Sequence, residues 1–247
     1  MTRLLFVHAH PDDETLWNGV TIAHHALAGD DVHVATCTLG EEGEVIPPEL
    51  EHLEGSEDLA DVRRAELSGA LQVLGATGHL LGFRDSGMVG SPAAADPRAL
   101  VNNLAAATAA LRELIDELQP DVLVTYEQYG GYGHPDHIAT HRATVAAAGQ
   151  LPVWQTVVPK SWAQQDREWV ANHPLEPGLS PVPVDAPWDP SVVPDDTVTH
   201  RVVDEAAGGV RAKALTHHRT QVVVHDGYFA LSNNVAKRLG DREAFVS

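Results

Sequence analysis

The sequence predicts an α/β protein: a Rossmann-like, mostly parallel sheet with helices on both faces, followed by a small C-terminal α/β extension. Two observations support this prediction. Short apolar runs rich in β-branched residues alternate with longer stretches of helical periodicity through the first 150 residues, an alternation typical of parallel sheets. Hydrophobic residues make up 43% of the 247 residues, enough for one sizeable core that needs no disulfide.

The first part of the chain consists of successive strand and helix patterns. Glycine or proline follows several of the predicted helices, as expected where a helix ends. The predicted strands cover residues 3–7, 32–36, 79–83 and 121–126, and the predicted helices cover residues 13–28, 60–74, 97–118 and 137–148. An acidic loop is expected at residues 40–59. We assign residues 1–150 to one Rossmann-like core.

The remaining residues, 151–247, are expected to form an extension that packs on the core and completes a pocket. Residues 174–194 hold seven of the 16 prolines, which excludes regular helix or interior strand and predicts either a long connection or a lid. After them, the pattern favours a strand at residues 197–203, a helix at 205–218 and a short β-run at 222–224.

The net charge and the cysteine content limit the partners and the cellular compartment that we expect for this protein. The chain has 16 Lys and Arg residues against 35 Asp and Glu residues, and its formal net charge of −19 repels phosphate backbones and anionic lipid headgroups. We therefore expect a small-molecule substrate and neither a nucleic-acid nor a membrane partner. The single cysteine, Cys37, cannot form an internal disulfide, and the N-terminal apolar run is too short for a signal peptide, so we expect a cytoplasmic protein.

Two polar motifs directly follow predicted strands. The first, HAHPDDE at residues 8–14, comes after the strand at 3–7, and the second, GGYGHPDH at residues 130–137, comes after the strand at 121–126. In doubly wound sheets, ligands bind beyond the carboxyl ends of the strands where the strand order reverses, so the two motifs are expected to share one crevice. The first turn lacks the Gly-x-Gly-x-x-Gly fingerprint, which disfavours a dinucleotide-binding module.

The residue types in these motifs are those of a catalytic zinc site. Such a site takes three His or carboxylate ligands and keeps one position open for water, whose pKa falls to about 7. His10, Asp13 and His137 would supply the ligands for one zinc ion per chain, and iron(II) also suits this donor set. Asp12 would remain free to act as general base. The reverse assignment, with Asp12 as ligand and Asp13 as base, stays open on this evidence.

Hydrolysis of an amide at such a site needs two further functions. The developing oxyanion must be stabilised, and the leaving nitrogen must receive a proton. Tyr132 and His134, both in the second motif, are suited to these tasks. Four histidines within predicted helices are instead expected to be ordinary surface or core residues, namely His24, His25, His217 and His218.

The motifs AHPDDE (residues 9–14) and HPDH (residues 134–137) together resemble those of the zinc-dependent N-acetylglucosaminyl deacetylase family. This family includes the PIG-L de-N-acetylases of the glycosylphosphatidylinositol pathway and the LmbE-like proteins. The resemblance implies a metal-dependent hydrolase that removes acetate from an N-acetylglucosamine-type sugar.

The same resemblance implies roles for individual residues. It gives the ligand set named above, with Asp12 as the base and with Tyr132 and His134 serving the oxyanion and the leaving group. It adds that Asp136 would orient His134. Two more residues, Arg63 and Asp85, match positions that hold the hydroxyl-rich rings of a pseudo-disaccharide substrate.

Longer stretches are similar to the branch of this family that deacetylates N-acetylglucosaminyl-inositol in mycothiol biosynthesis. They are RLLFVHAH (3–10), TLGEEGEVI (38–46), RDSGM (84–88) and LSNN (231–234). The alternative is the sibling mycothiol S-conjugate amidase, in which a lysine lies shortly after the acidic motif. This chain has Trp17 there and no lysine before Lys160, which favours the deacetylase. A non-catalytic sugar- or metal-binding protein is disfavoured because every ligand, base and oxyanion candidate is present.

Overall fold

The computed structural model describes residues 1–247 and contains twelve strands and seven α-helices. The strands are β1 (Arg3–His8), β2 (Asp31–Thr36), β3 (Thr77–Leu80), β4 (Val122–Tyr126), β5 (Val153–Pro159), β6 (Ser180–Pro181), β7 (Val192–Val193), β8 (His200–Val203), β9 (Val223–His225), β10 (Tyr228–Ala230), β11 (Val235–Arg238) and β12 (Arg242–Val246). The helices are α1 (Asp13–Leu27), α2 (Asp58–Leu74), α3 (Leu104–Leu118), α4 (Gly130–Gly133), α5 (Pro135–Ala147), α6 (Lys160–Ala171) and α7 (Glu205–Leu215).

Eight strands form the main sheet in the order β3-β2-β1-β4-β5-β12-β8, with the short β7 paired to β5. Strands β3, β2, β1, β4 and β5 are parallel to one another, whereas β12 is antiparallel to both of its neighbours. The strand order reverses between β1 and β4, which is where ligands bind in open α/β sheets. The predicted α/β class with a mostly parallel sheet is confirmed.

The side chains of β1 alternate between the two faces of the sheet and so contribute to two cores. Leu4 and Phe6 pack with residues of α1, α2 and α7 on one face. Leu5 and Val7 pack with residues of α3 and α5 on the other face, where the buried Cys37 also lies. Because helices cover both faces, residues 4–7 of β1 form a continuous apolar run, and the polar residues of the first motif follow from His8 at the end of the strand.

Local sequence signals fix the starts of the two helices that border the site. Helix α1 begins directly after Asp12, so Asp13 lies in its first turn, where the helix dipole favours a negative charge. Helix α5 has Pro135 in its first turn, a position that needs no backbone donor. The side chain of His134 accepts a hydrogen bond from the backbone N–H of Asp136 and thereby caps α5.

The C-terminal part of the chain contributes to both sheets. Strands β5, β8 and β12 belong to the main sheet, whereas β6, β11, β10 and β9 form a second, four-stranded sheet in that order. Helix α6 packs against β11 of the second sheet and β5 of the main sheet. The boundary predicted between residues 150 and 151 therefore falls between the hydrogen-bonded strands β4 and β5. None of the helices combines the length and the apolar character needed to span a bilayer.

Several predicted elements have different bounds in the structure. The helix expected at 205–218 ends at Leu215 as α7, and the strand expected at 197–203 begins at His200 as β8. The helix expected at residues 97–118 begins only at Leu104, because the side-chain amide of Asn103 donates hydrogen bonds to the carbonyls of Pro97 and Ala99 and fixes a turn. The strand expected at 79–83 is shifted toward the N-terminus and ends at Leu80 as β3.

Eight regular elements have no counterpart in the sequence-based prediction: α4, α6, β5, β6, β7, β10, β11 and β12. Helix α6 is polar in composition and buries only Val170, so it lacks the apolar face that marks a core helix. Strand β5 contains the polar pair Gln155 and Thr156, which interrupts its apolar pattern. Strand β12 contains Glu243, a buried carboxylate that accepts hydrogen bonds from backbone N–H groups of α1. In the latter two elements, polar side chains lie inside the protein and conceal the strand signal.

Candidate functional site

The two motifs lie at the carboxyl ends of the neighbouring strands β1 and β4, as the sequence predicts. Leu4, Leu5 and Phe6 of β1 pair in register with residues 122–124 of β4, which brings the following turns together. The side chains that converge there are buried although they are polar, and a buried polar cluster needs specific partners.

Three atoms of the predicted ligand residues form a nearly equilateral triangle. The distance from His10 Nδ1 to His137 Nε2 is 3.2 Å, and each of these nitrogens lies 3.3 Å from Asp13 Oδ2. Ligands of a tetrahedral zinc ion at about 2.0–2.1 Å from the metal lie about 3.3–3.4 Å from one another. The donor set therefore fits a single divalent cation.

Hydrogen bonds orient both imidazoles toward the centre of the triangle. Nδ1 of His137 lies 3.0 Å from the carbonyl oxygen of Gly130, which accepts its proton and leaves Nε2 with a free lone pair. Nε2 of His10 lies 3.4 Å from Asp136 Oδ2 and 3.6 Å from Asp85 Oδ1, so its proton is directed at two carboxylates and Nδ1 is free. Burial lowers the pKa of His10, but the facing Asp85 and the other carboxylates raise it well above its usual value. The site thus favours added positive charge.

Tyr126, which the sequence analysis does not single out, supports this triangle from below. Its hydroxyl donates a 2.7 Å hydrogen bond to Asp13 Oδ2 and accepts a 2.8 Å bond from the backbone N–H of Ala9. Its ring stacks on His137 with a centroid distance of 4.2 Å and an interplanar angle of 11°. A buried tyrosine at the end of β4 therefore fixes two of the three side chains predicted as ligands.

Two other combinations also bring possible ligand atoms within 4.8 Å of one another. One joins His10 with His134 and His137, and the other joins His10 with Asp85 and Asp136. In the set of His10, Asp85 and Asp136, the two carboxylates orient the His10 ring through its Nε2. In the set of His10, His134 and His137, Nδ1 of His134 is already occupied because it caps α5. The triangle that includes Asp13 is therefore the best-formed donor set.

Asp12 has a strained backbone beside the triangle. Its φ of 108° and ψ of −33° lie in a region that residues other than glycine rarely adopt, and such strain clusters at functional sites. The backbone N–H of Asp12 donates to Glu14 Oε2 at 3.0 Å, and its carboxylate lies 3.3 Å from Nη2 of Arg63. Burial raises the pKa of Asp12 to about 7, although the charge of Arg63 acts in the opposite direction. This carboxyl group can exchange a proton near neutral pH.

Arg63 is buried rather than solvated and holds the first motif in place. Its Nη2 donates to the carbonyl of Pro11 at 2.5 Å, and its Nη1 donates to the carbonyl of Gly40 at 2.7 Å. Gly40 has a φ of 67°, and a Cβ there would lie 1.8 Å from Nη1, so only glycine allows this approach. The predicted substrate-binding arginine therefore also positions Asp12.

The predicted substrate-binding residue Asp85 orients His10 in the structure. Its carboxylate also accepts hydrogen bonds from the backbone N–H groups of Gly87 at 2.8 Å and Glu42 at 3.3 Å. Burial raises the pKa of Asp85, but His10 and the Gly87 bond outweigh it and bring the pKa well below its usual value. Asp85 is therefore an ionised carboxylate at the rear of the site.

The predicted contact between Asp136 and His134 is made by the backbone and not by the carboxylate. The N–H of Asp136 donates to His134 Nδ1 at 3.1 Å, whereas its Oδ2 lies against His10 and accepts a bond from the N–H of Ser86 at 2.9 Å. The carboxylate follows the helical direction of α5 and therefore points to the first motif. Because Nδ1 of His134 accepts this hydrogen bond, neutral His134 carries its proton on Nε2.

His134 and Tyr132 both present hydrogen-bond donors to the cleft. Burial, reinforced by His10 and His137, lowers the pKa of His134 to about 3, so the ring is a neutral N–H donor. Tyr132 lies on the single turn α4, with its ring centroid 5.1 Å from that of His137 and an exposed fraction of 57%. Partial burial in the cleft, together with the charge of Asp13, raises the pKa of Tyr132, which keeps its hydroxyl protonated.

Comparison with known proteins shows the family to which this chain belongs. The family described as PIG-L, GlcNAc-PI de-N-acetylase, matches residues 5–148, more than half of the chain. The chain belongs to the PIG-L family. A relative from Mycolicibacterium vanbaalenii is 46% identical over 258 residues, covering 99% of this chain and 90% of the relative, and one from Rhodococcus jostii is 44% identical over 266 residues with the same coverage. Both relatives are named 1D-myo-inositol 2-acetamido-2-deoxy-alpha-D-glucopyranoside deacetylase.

A solved structure extends the comparison to three dimensions. The A40926 pseudoaglycone deacetylase Dbv21 is 26% identical to this PIG-L family chain, with a TM-score of 0.57, and the match covers 89% of this chain and 82% of that one. The family resemblance expected from the two motifs is thus confirmed.

His218, expected to be an ordinary helical residue, lies outside α7 and beneath the first motif. Its Nε2 is 2.8 Å from Glu14 Oε1, and both side chains are completely buried. Burial lowers the pKa of His218, but the charge of Glu14 raises it above its usual value, and His218 correspondingly lowers the pKa of Glu14 against burial. This ion pair holds the Glu14 carboxylate that binds the backbone of Asp12. The sequence gives no indication of this ion pair, because its two residues are about 200 positions apart in the chain.

The site opens into a cavity of about 1060 Å³. One part of its lining comes from the two motifs and from the loops that carry Glu42 and Asp85. Most of the rest comes from β5, α6, the proline-rich segment and the C-terminal strands, and α1, α2 and α7 contribute a few residues. This volume is at the upper end of the range for small-molecule sites and exceeds what a single sugar ring requires.

Proposed function

We propose that this protein is a zinc-dependent hydrolase that removes the acetyl group of 1D-myo-inositol 2-acetamido-2-deoxy-alpha-D-glucopyranoside, releasing acetate and a free amine. The observation that carries the proposal is the triangle of ligand atoms from His10, Asp13 and His137 beside the strained Asp12. The relatives that share 44% and 46% identity with this chain are named for this reaction, which supports the choice of substrate.

The donor set supports one divalent cation per chain. Two imidazoles and one carboxylate are typical of catalytic zinc, and iron(II) suits the same donors. The bound cation would supply Lewis-acid polarisation of the acetamide carbonyl and would lower the pKa of a water molecule.

The residues around the triangle have complementary roles in this proposal. Asp12 accepts the proton of the attacking water, since its pKa near 7 suits a general base. The Nε2–H group of His134 and the hydroxyl of Tyr132 have no partner within the protein and face the cleft, so they serve the oxyanion and the leaving nitrogen. Asp136 contributes indirectly by orienting His10.

Arg63 and Asp85 line the same cleft. We propose that their remaining N–H groups and lone pairs bind hydroxyl groups of the substrate, in addition to holding Asp12 and His10. Residues 151–247 complete the pocket, because β5, α6 and the C-terminal strands supply a large part of its lining. The volume of about 1060 Å³ favours one second candidate, hydrolysis of a bulkier amide such as a mycothiol S-conjugate.

The test measures amine release from N-acetylglucosaminyl-inositol and from a mycothiol S-conjugate side by side, with metal content determined on the same sample. We expect faster turnover of the acetylated pseudo-disaccharide and about one zinc per chain. A preference for the conjugate would replace the deacetylase by the amidase, and the absence of turnover on either amide would reject both functions.

The variant Asp12→Asn tests whether Asp12 acts as the general base and not as a metal ligand. This variant should retain bound metal while turnover falls by at least about 100-fold, the usual contribution of a general base. Asp196→Asn, at an exposed carboxylate outside the cavity, provides the matched control. Undiminished deacetylation by Asp12→Asn would contradict the assignment of the base.

A further inference from the structure

The cavity has a second charged region besides the metal triangle. It is formed by helix α6, strand β11, the start of β12 and the loop before β7. We call this region the cationic arm and define it by its four cationic side chains and two flanking aromatic residues: Arg167, Lys237, Arg238, Arg242, Trp162 and Trp188. Neither of the two sequence motifs includes any of these residues.

Two of the four cations share a single carboxylate. Nη1 of Arg238 lies 3.1 Å from Asp166 Oδ1, and Nη2 of Arg242 lies 2.8 Å from the same oxygen. Arg242 also packs over the ring of Trp162 with a distance of 4.9 Å to the ring centroid. One negative charge is therefore opposed by two fixed guanidinium groups at this wall of the cavity.

The other two cations have no carboxylate within salt-bridge distance. Arg167 donates to the backbone carbonyls of residues 186 and 187 and lies 3.8 Å from the ring centroid of Trp188. Lys237, an exposed residue of β11, makes neither a hydrogen bond nor a salt bridge. Desolvation in the cavity lowers its pKa, whereas the charge of Asp189, which lines the same cavity, raises it. Nearby protein groups thus leave the charge of Lys237 without a direct partner, in a chain whose formal net charge is −19.

The four cations of the arm outnumber the two carboxylates beside them, Asp166 and Asp189. Such an excess of positive charge on a cavity wall favours ligands of the opposite charge. Charge-assisted hydrogen bonds from Lys and Arg to phosphate or carboxylate are stronger than those to neutral hydroxyls. The pseudo-disaccharide of the proposed function is uncharged before deacetylation, so it leaves the arm without a complementary group. The ring faces of Trp162 and Trp188 add flat apolar surface, against which the ring of a sugar or cyclitol can pack.

We propose that the cationic arm is a second subsite that binds an anionic substituent, a phosphate monoester or a carboxylate, on the part of the substrate remote from the acetamide. The proposal rests on the proposed function for the position of the acetamide at the metal triangle. The acidic substituent acts in binding only, because it does not touch the reacting atoms. Within the proposed function, a derivative of the N-acetylated pseudo-disaccharide that carries a negative charge should accordingly bind more tightly than the neutral compound.

The test compares deacetylation of three substrates: N-acetylglucosaminyl-inositol, the same compound with a phosphate monoester on the inositol ring, and an analogue with a glucuronate in place of the inositol. We expect kcat/KM of the wild type to be about tenfold higher for a charged substrate than for the neutral one. The difference should come from a lower KM, with kcat unchanged. The preference should shrink as salt is added. The two charged substrates distinguish phosphate from carboxylate recognition.

Lys237→Gln should remove most of this preference, so that the ratio of kcat/KM for charged and neutral substrates falls about tenfold. Lys213→Gln, at an exposed lysine of α7 outside the cavity, should leave the ratio as in the wild type. If the anionic group bound to the metal instead of the arm, the ratio of kcat/KM for charged and neutral substrates would be the same in the wild type and in both variants. An equal ratio in the wild type and Lys237→Gln, or no preference in the wild type, would overturn the proposal.

The two proposals fail in different ways. Turnover of the neutral substrate tests the proposed function alone. If none of the three substrates is deacetylated, calorimetric binding of the phosphorylated compound to the wild type, Lys237→Gln and Lys213→Gln still tests the arm. Tighter binding that depends on Lys237 would retain the anionic subsite, and identical binding by all three proteins would reject it.

Discussion

Replacing His218 by alanine is expected to lower the free energy of unfolding by about 3–5 kcal/mol, the usual cost of removing one partner from a buried ion pair. His218 Nε2 and Glu14 Oε1 are 2.8 Å apart, and neither side chain has any exposed surface. Without the imidazolium, the Glu14 carboxylate would keep only the hydroxyl of Thr15 and the backbone N–H of Asp12 as partners. Two neutral hydrogen bonds do not compensate a buried negative charge.

Urea denaturation followed by circular dichroism measures this loss directly, and the melting temperature should fall by roughly 10 °C for a chain of this length. His217→Ala is the matched control, because His217 is adjacent in sequence but exposed, and its replacement should change stability by less than about 0.5 kcal/mol. If His218→Ala differs from this control by less than about 1 kcal/mol, the pair is not the ionised, buried interaction inferred from the structure.

Three further outcomes follow from the site. Tyr126→Phe removes the hydroxyl that holds a ligand carboxylate and should weaken metal affinity about 10- to 100-fold in chelator competition, whereas Tyr228→Phe, which alters a remote tyrosine, should not. Gly40→Ala should displace Arg63 and lower kcat/KM at least about tenfold, while Gly29→Ala, which has a similar positive φ but open space around it, should affect stability alone. Dialysis against a chelator should abolish turnover and zinc should restore it; activity retained in metal-free protein would exclude a metal-dependent reaction.

The sequence predicts the positions of His10, Asp13 and His137 because the topology of a parallel sheet determines where the ends of its strands lie. Polar residues directly after two apolar runs must lie at strand ends, and parallel strands place those ends on one edge of the sheet. The contact of Asp136 was not predictable in the same way. Its carboxylate is directed by the rotation of α5, which depends on packing against α3 and not on the motif.

The residues that the sequence analysis does not identify act through distant partners or resemble ordinary residues. Tyr126 reads as the last residue of a buried strand, and His218 as part of an exposed helical pattern, yet each supports the first motif. Strands β5 and β12 escape prediction because Thr156 and Glu243 are buried polar residues with partners in α1. Polar groups satisfied by tertiary contacts leave no periodic signal in the chain.

Asp12, Asp13 and Glu14 are adjacent in sequence but have different environments, and these environments support the division of roles. Asp13 faces two imidazole nitrogens at 3.3 Å, which with its other partners lower its pKa well below the usual value against burial, as a metal ligand requires. Glu14 is ionised by its pairing with His218. Only Asp12 among the three has a raised pKa, because burial outweighs its contact with Arg63. The reverse assignment would place the group that protonates most readily among the ligands and would use a strongly ionised carboxylate as the base, so the structure supports Asp13 as ligand and Asp12 as base.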